Sequence, residues 1–75
     1  MILPDKNIKL EFSLLNCGAI LLKQLEQPQT VSALWNKVKE DNSIAGYEKF
    51  ILTLDYLFII GGIFLEQGML RRNKE

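Results

Sequence analysis

The chain has 75 residues and a mass of 8.6 kDa, enough for one small domain and too little for a second core or a large enzyme. Nine Lys plus Arg offset nine Asp plus Glu, so no net charge draws the chain to nucleic acid or to an anionic membrane. One cysteine and no histidine leave out an internal disulfide, the usual structural zinc ligands and Cys-His or Ser-His catalysis.

The start, Met1-Ile2-Leu3-Pro4-Asp5, lacks the basic segment, apolar stretch and cleavage site of a secretory peptide, so a cytoplasmic protein is expected. Pro4 and the alternation Ile8, Lys9, Leu10 predict a short extended arm or edge strand over residues 1–10. From Glu11 to Glu26, Leu14, Cys17, Leu21, Leu22 and Leu25 recur at helical spacing, with Ser13, Asn16, Lys23 and Gln24 turned away. Gly18 within this helix costs about 1 kcal/mol against Ala, which points to a neighbour packed closely there. Gln27-Pro28-Gln29 ends the helix.

Thr30 is the expected N-cap of a second helix running to about Glu40, with Val31, Leu34, Trp35 and Val38 on its inner face. Asp41-Asn42-Ser43 is a turn cluster, and Gly46 marks the loop before a third helix from Tyr47 to Ile60. Gly61-Gly62 stops that helix, since glycine readily takes the positive φ of a helix C-terminus. Ile63-Phe64-Leu65-Glu66, the turn Gln67-Gly68 and Met69-Leu70-Arg71-Arg72 then read as a β-hairpin, followed by a frayed Asn73-Lys74-Glu75. The longest uncharged apolar run, Tyr56 to Leu65, is ten residues against the roughly 20 of a membrane-spanning helix, so no membrane is expected as a partner.

The fold class is therefore mostly α with a small β-hairpin: one winged helix-turn-helix-like domain, with an arm, three helices and the hairpin as wing. Such a fold raises the question of DNA, and the third helix answers against direct reading. Tyr47, Phe50, Ile51, Leu54, Leu57 and Phe58 cluster on one side and are assigned to the core. The opposite side carries Glu48, Lys49, Leu52, Asp55, Tyr56, Ile59 and Ile60, whereas a recognition helix needs Arg, Lys, Asn or Gln there to reach base edges. A helix apolar all round is buried all round. The chain's own arm or wing, a partner protein or a second copy of the chain would have to cover it. A partner protein is the preferred cover, with Leu52, Asp55, Tyr56, Ile59 and Ile60 as the candidate partner-binding residues.

Lys37, Lys39, Arg71, Arg72 and Lys74 form at most a weak basic patch, diluted by Glu40, Asp41, Glu66 and Glu75. Arg71 and Arg72 are kept as candidate nucleic-acid contacts, because wing arginines can touch phosphate. Asp55 reads as a solvent-edge or interface ion-pair residue, Cys17 as a small core residue, and Trp35 as the anchor of the second helix. No catalytic residue, metal site or cofactor site is assigned, and Gly61-Gly62 ends a helix where an anion site would begin one.

Met1-Ile2-Leu3-Pro4-Asp5-Lys6, Leu14-Leu15 through Gly18-Ala19-Ile20-Leu21, Thr30-Val31 with Leu34-Trp35, and Phe50-Ile51-Leu52 through Leu54-Asp55-Tyr56-Leu57 ahead of Gly61-Gly62-Ile63 together resemble a middle component of bacterial three-component ABC ATPase systems, the sixth type most of all. The resemblance spans nearly the whole chain and rests on apolar and turn positions. It implies a small non-enzymatic adaptor linking an SMC- or Rad50-like ABC ATPase to an effector component in an anti-phage or anti-plasmid defence complex. It implies no active-site residues. The alternative from the fold order is a small dimeric winged-helix DNA-binding regulator, and a toxin or antitoxin partner is a weaker third reading.

Overall fold

A computed structural model of the chain describes residues 4–44 and 46–73, with side chains from residue 12 onward. Three helices, α1 (Pro4–Gln24), α2 (Val31–Val38) and α3 (Tyr47–Ile59), precede two strands, β1 (Ile63–Glu66) and β2 (Met69–Arg72).

The expected arm is corrected over most of its length: residues 4–10 are helical and form the first two turns of α1, while residues 1–3 lie outside the described part. Proline is favoured at the first position of a helix, where its fixed φ suits the turn and its missing N–H has no intrahelical acceptor. Pro4 therefore opens α1 instead of ending an extended segment. The alternation over Ile8, Lys9 and Leu10 was too short to outweigh this.

α2 starts where its cap dictates. The Thr30 hydroxyl accepts a hydrogen bond from the Ala33 amide at 3.1 Å, and the helix ends two residues earlier than expected, with Lys39 as C-cap. The following turn is held by Asp41, whose carboxylate accepts from the Ser43 amide at 2.9 Å and whose carbonyl accepts from the Ile44 amide at 3.0 Å. That turn folds Ile44 into the core, a role its place inside a polar cluster did not suggest.

α3 closes with a paired-glycine cap. The Gly62 amide donates to the Leu57 carbonyl at 2.8 Å, and the Gly61 amide to Phe58 at 3.2 Å, with Gly61 at φ +78°. This is the Schellman arrangement, and it requires a residue that takes positive φ without strain. The two-residue turn of the hairpin has positive φ at both Gln67 (+54°) and Gly68 (+78°), the type I′ geometry that matches strand twist. β1 and β2 pair antiparallel with Phe64 opposite Arg71 and Leu65 opposite Leu70.

A third segment joins this small sheet, and it is not the N-terminal arm. Gln29 and Leu70 exchange two backbone hydrogen bonds, of 3.1 and 2.6 Å, so the linker between α1 and α2 lies along the free side of β2. Asn73 corrects the expected frayed end. Its amide extends the ladder to the Gly62 carbonyl and its side chain donates to Gly61, both at 2.9 Å. Lys74 and Glu75 lie outside the described residues.

One core unites all five elements: Cys17, Leu21 and Leu25 from α1, Leu34 and Val38 from α2, Ile44, Phe50, Leu54 and Leu57 from α3 and its approach, and Ile63 and Leu70 from the hairpin. Trp35 is half-buried against it, edge-on to Tyr47 at 5.1 Å and tilted on Phe50 at 5.1 Å. Two residues assigned inward, Tyr47 and Phe58, are exposed. Both sit at the edges of the apolar arc, where a turn of a few tens of degrees decides between core and solvent. Thr53 takes a fully buried place instead, which it tolerates because its hydroxyl donates to the Lys49 carbonyl at 2.7 Å.

Gly18 explains how α1 and α3 approach. A Cβ there would stand 3.1 Å from the Leu57 Cδ2 and 3.9 Å from the Thr53 Cγ2. The glycine is thus the notch that receives Leu57. Gly18→Ala is expected to be nearly neutral, because about 1 kcal/mol of helix propensity offsets a small shift of the Leu57 tip. Gly18→Val is expected to cost roughly 1–3 kcal/mol through overpacking, read as a lower urea midpoint. A valine variant as stable as the parent would contradict this packing.

Candidate functional site

Among the described residues, most of the exposed large apolar side chains lie along α1 and α3. On α1, Phe12, Leu15, Ala19 and Leu22 follow the i, i+3, i+7, i+10 spacing of one stripe; Phe12, Leu15 and Ala19 are exposed and Leu22 is half-buried. On α3, Leu52 (47% exposed), Ile59 (83%) and Ile60 (55%) are open to solvent, and Tyr56 is half-buried beside them. Between the two helices runs an open groove of about 190 Å³ lined by Leu15, Gly18, Ala19, Leu22, Tyr56, Leu57 and Ile60. Every one of those side chains is apolar apart from the Tyr56 hydroxyl.

Backbone chemistry accounts for the shape. Gly18 and Ala19 keep the α1 side of the groove low, while Tyr56 on α3 and Ile60, its C-cap residue, form the opposite ridge. Small residues beside large ones produce a channel into which another chain's side chains fit. Clustered exposed apolar side chains of this kind mark interaction sites more often than isolated ones do.

Of the candidate partner-binding residues, Tyr56 and Ile60 line the groove, Leu52 and Ile59 lie on the more exposed flank of α3, and Asp55 is exposed. Sequence reasoning missed the α1 half: Leu22 was placed on the inner face of the helix, and Phe12 and Leu15, inside the expected Glu11–Glu26 helix, were given no role in a surface. Their 12, 15, 19, 22 spacing was the signal that could have found them.

The two hairpin arginines are engaged within the chain. Arg71 Nε lies 2.7 Å from Glu66 Oε1, and Arg72 donates to the Leu22 carbonyl at 3.4 Å. Both arginines, with Glu26, Leu25 and Pro28, border a second, smaller hollow of about 80 Å³ at the end of α1. Glu26 and Glu66 beside them weaken any field a phosphate would feel. Lys37 and Lys39 are exposed, and Lys74 is outside the described residues.

Cys17 is a core group: it is 1% exposed and its Sγ donates to the Ser43 carbonyl at 2.9 Å, tying α1 to the turn after α2. Alkylation of Cys17 should therefore proceed only through opening of the domain, at least about a thousandfold slower in buffer than in denaturant. Rapid labelling of the folded chain would contradict the packing around α1.

Among the described residues no helix is long and apolar enough to cross a membrane. A sequence model of the family described as ABC-three component (ABC-3C) system Middle Component 6 matches residues 3–73. No curated protein and no solved structure matches the chain.

Proposed function

Because the chain belongs to the ABC-three component system Middle Component 6 family, we propose that it is a non-enzymatic adaptor subunit of such a system. In this reading a winged-helix-like body docks the apolar face of α1 and α3 on its protein partners, an ABC ATPase and an effector component of a cytoplasmic defence complex. The observation that carries the reading is the cluster of Leu52, Ile59 and Ile60 in solvent beside a groove with almost no polar lining. Such a surface gains from desolvation by a complementary chain and offers little to a nucleotide, a metal or a phosphate.

Tyr56 suits the centre of the interface. It is half-buried before any partner arrives, so little side-chain entropy remains to be lost on docking, and its hydroxyl supplies a polar handle. Asp55 at the exposed edge fits a rim that sets register and on-rate more than affinity.

Replacing Tyr56 and Ile59 together with Glu should leave the helical circular dichroism unchanged, since neither belongs to the buried core. The same change should reduce co-purification with the products of the adjacent genes by at least about thirtyfold, the loss of one hot spot of roughly 2 kcal/mol. Retention of the complex would overturn the reading.

The DNA-binding regulator rests on Arg71 and Arg72 in the hairpin. With Arg71 ion-paired and acids on the outer face of α3, duplex binding by the chain alone should be weak and lost as salt rises. Tight, sequence-selective binding to a duplex at physiological salt, abolished by Arg71→Ala with Arg72→Ala, would favour the regulator instead.

A further inference from the structure

The lining of the groove between α1 and α3 limits the kind of chain that can fill it. Its side chains are apolar apart from the Tyr56 hydroxyl. Carbonyls along it are already in use: Tyr56 accepts from the Ile60 amide at 3.1 Å, Leu57 from Gly62 at 2.8 Å and Leu22 from Leu25 at 3.1 Å. An extended segment carries backbone polar groups toward the walls along its whole length, and here they would be buried without partners. A helix closes its backbone bonds within itself and presents only side chains to a groove. A sheet face also pairs its own backbone, but it is too broad to enter a channel between two helices.

Both walls repeat at the spacing a helix needs. Phe12, Leu15, Ala19 and Leu22 on α1 follow one another at intervals of three, four and three, and Leu52, Tyr56 and Ile59 on α3 at four and three. Those are the intervals of the a and d positions of a heptad, against which another helix packs its side chains as knobs into holes. The α1 wall runs for about 15 Å, close to three helical turns. Gly18 and Ala19 leave that wall without bulk, which makes room for a large aliphatic knob.

Charge narrows the choice of partner. Glu48 and Asp55 are exposed and stand one heptad apart, on the flank of α3 beyond Leu52 and Ile59. Among the described residues neither carboxylate has an ion-pair partner. Lys49 is half-buried on the opposite flank, toward the groove, and the α1 lip carries exposed Lys23 and Glu26, one charge of each sign. The two acids are therefore matched by a chain with positive charge on that one side. A second copy laid antiparallel along the same seam would instead set Glu48 against Asp55 of the other copy, acid facing acid, an arrangement that discourages pairing.

We infer that the groove takes a single amphipathic helix of another subunit, apolar at positions three and four apart over about three turns and carrying Lys or Arg on the side that meets α3. This occupant presupposes the adaptor reading of the same face and adds the partner's chemistry to it.

The test uses the complex of the full chain with the subunits that the adaptor reading assigns to it. The photo-cross-linker p-benzoylphenylalanine is placed singly at Leu52 and at Ile59, exposed positions about 10.5 Å apart along α3. A helix in the groove should be cross-linked at sites about seven residues apart, and an extended segment at sites about three apart. Phe12 and Ala19, spaced alike on the other wall, repeat the measurement should either α3 variant fail to assemble. Glu48→Lys with Asp55→Lys should leave the circular dichroism unchanged, since both residues are exposed. The same reversal should slow association at about 50 mM salt by at least about tenfold, and the difference should vanish near 1 M, where screening acts within about 3 Å. Cross-links three residues apart, cross-links to a second copy of this chain, or equal association rates for parent and reversed chains would overturn this occupant and leave the complex, with the adaptor reading, in place. A parent chain that forms no complex would overturn both.

Discussion

The structure depends on the placement of α3. Thirteen residues long and rich in large apolar groups, it supplies Phe50, Leu54 and Leu57 to the core, and everything else in the chain is arranged to cover those three. α1 reaches it through the Gly18 notch, α2 through the Trp35, Tyr47 and Phe50 ring cluster, and the hairpin through Ile63, which the double-glycine cap turns back toward the helices. Two helices and a hairpin can shelter only part of a cylinder. On the rest of α3, Leu52 and Ile59 stay exposed, and among the described residues no further element lies over them.

That shortage of covering material links the packing to the proposed role. The hollow between α1 and α3 is an open apolar groove with Ile60 on its lining and exposed Leu52 and Ile59 beside it. A subunit that works inside an assembly can keep such a surface, because its partner supplies the missing layer and the burial contributes to affinity.

Much of this was legible in the sequence. The hairpin boundaries, the Thr30 cap, the Gly61-Gly62 stop and the buried positions Leu14, Cys17, Leu21, Leu25, Leu34 and Val38 follow from local rules that tertiary packing did not overrule. What escaped was set by context. Pro4 reads equally as an arm breaker or as a helix opener, and only the continuation into α1 distinguishes them. Ile44 and Thr53 are buried for reasons held elsewhere, in the Asp41 turn and the Lys49 carbonyl. The α3 half of the groove was visible as apolar residues on the wrong side of a helix. The α1 half was not, because a stripe in which Ala19 and half-buried Leu22 take part shows itself only when a neighbouring helix defines the channel.

Cross-saturation between the partner and the methyl groups of this chain tests the central claim most directly, with the chain isotopically labelled and bound to the ABC ATPase that the adaptor reading assigns to it. The account expects the strongest transfer at Leu15, Leu22, Leu52, Ile59 and Ile60, with the core methyls of Leu34 and Val38 silent. Transfer confined to the hairpin methyls of Ile63 and Leu65, or none at any of these positions in a verified complex, would contradict it.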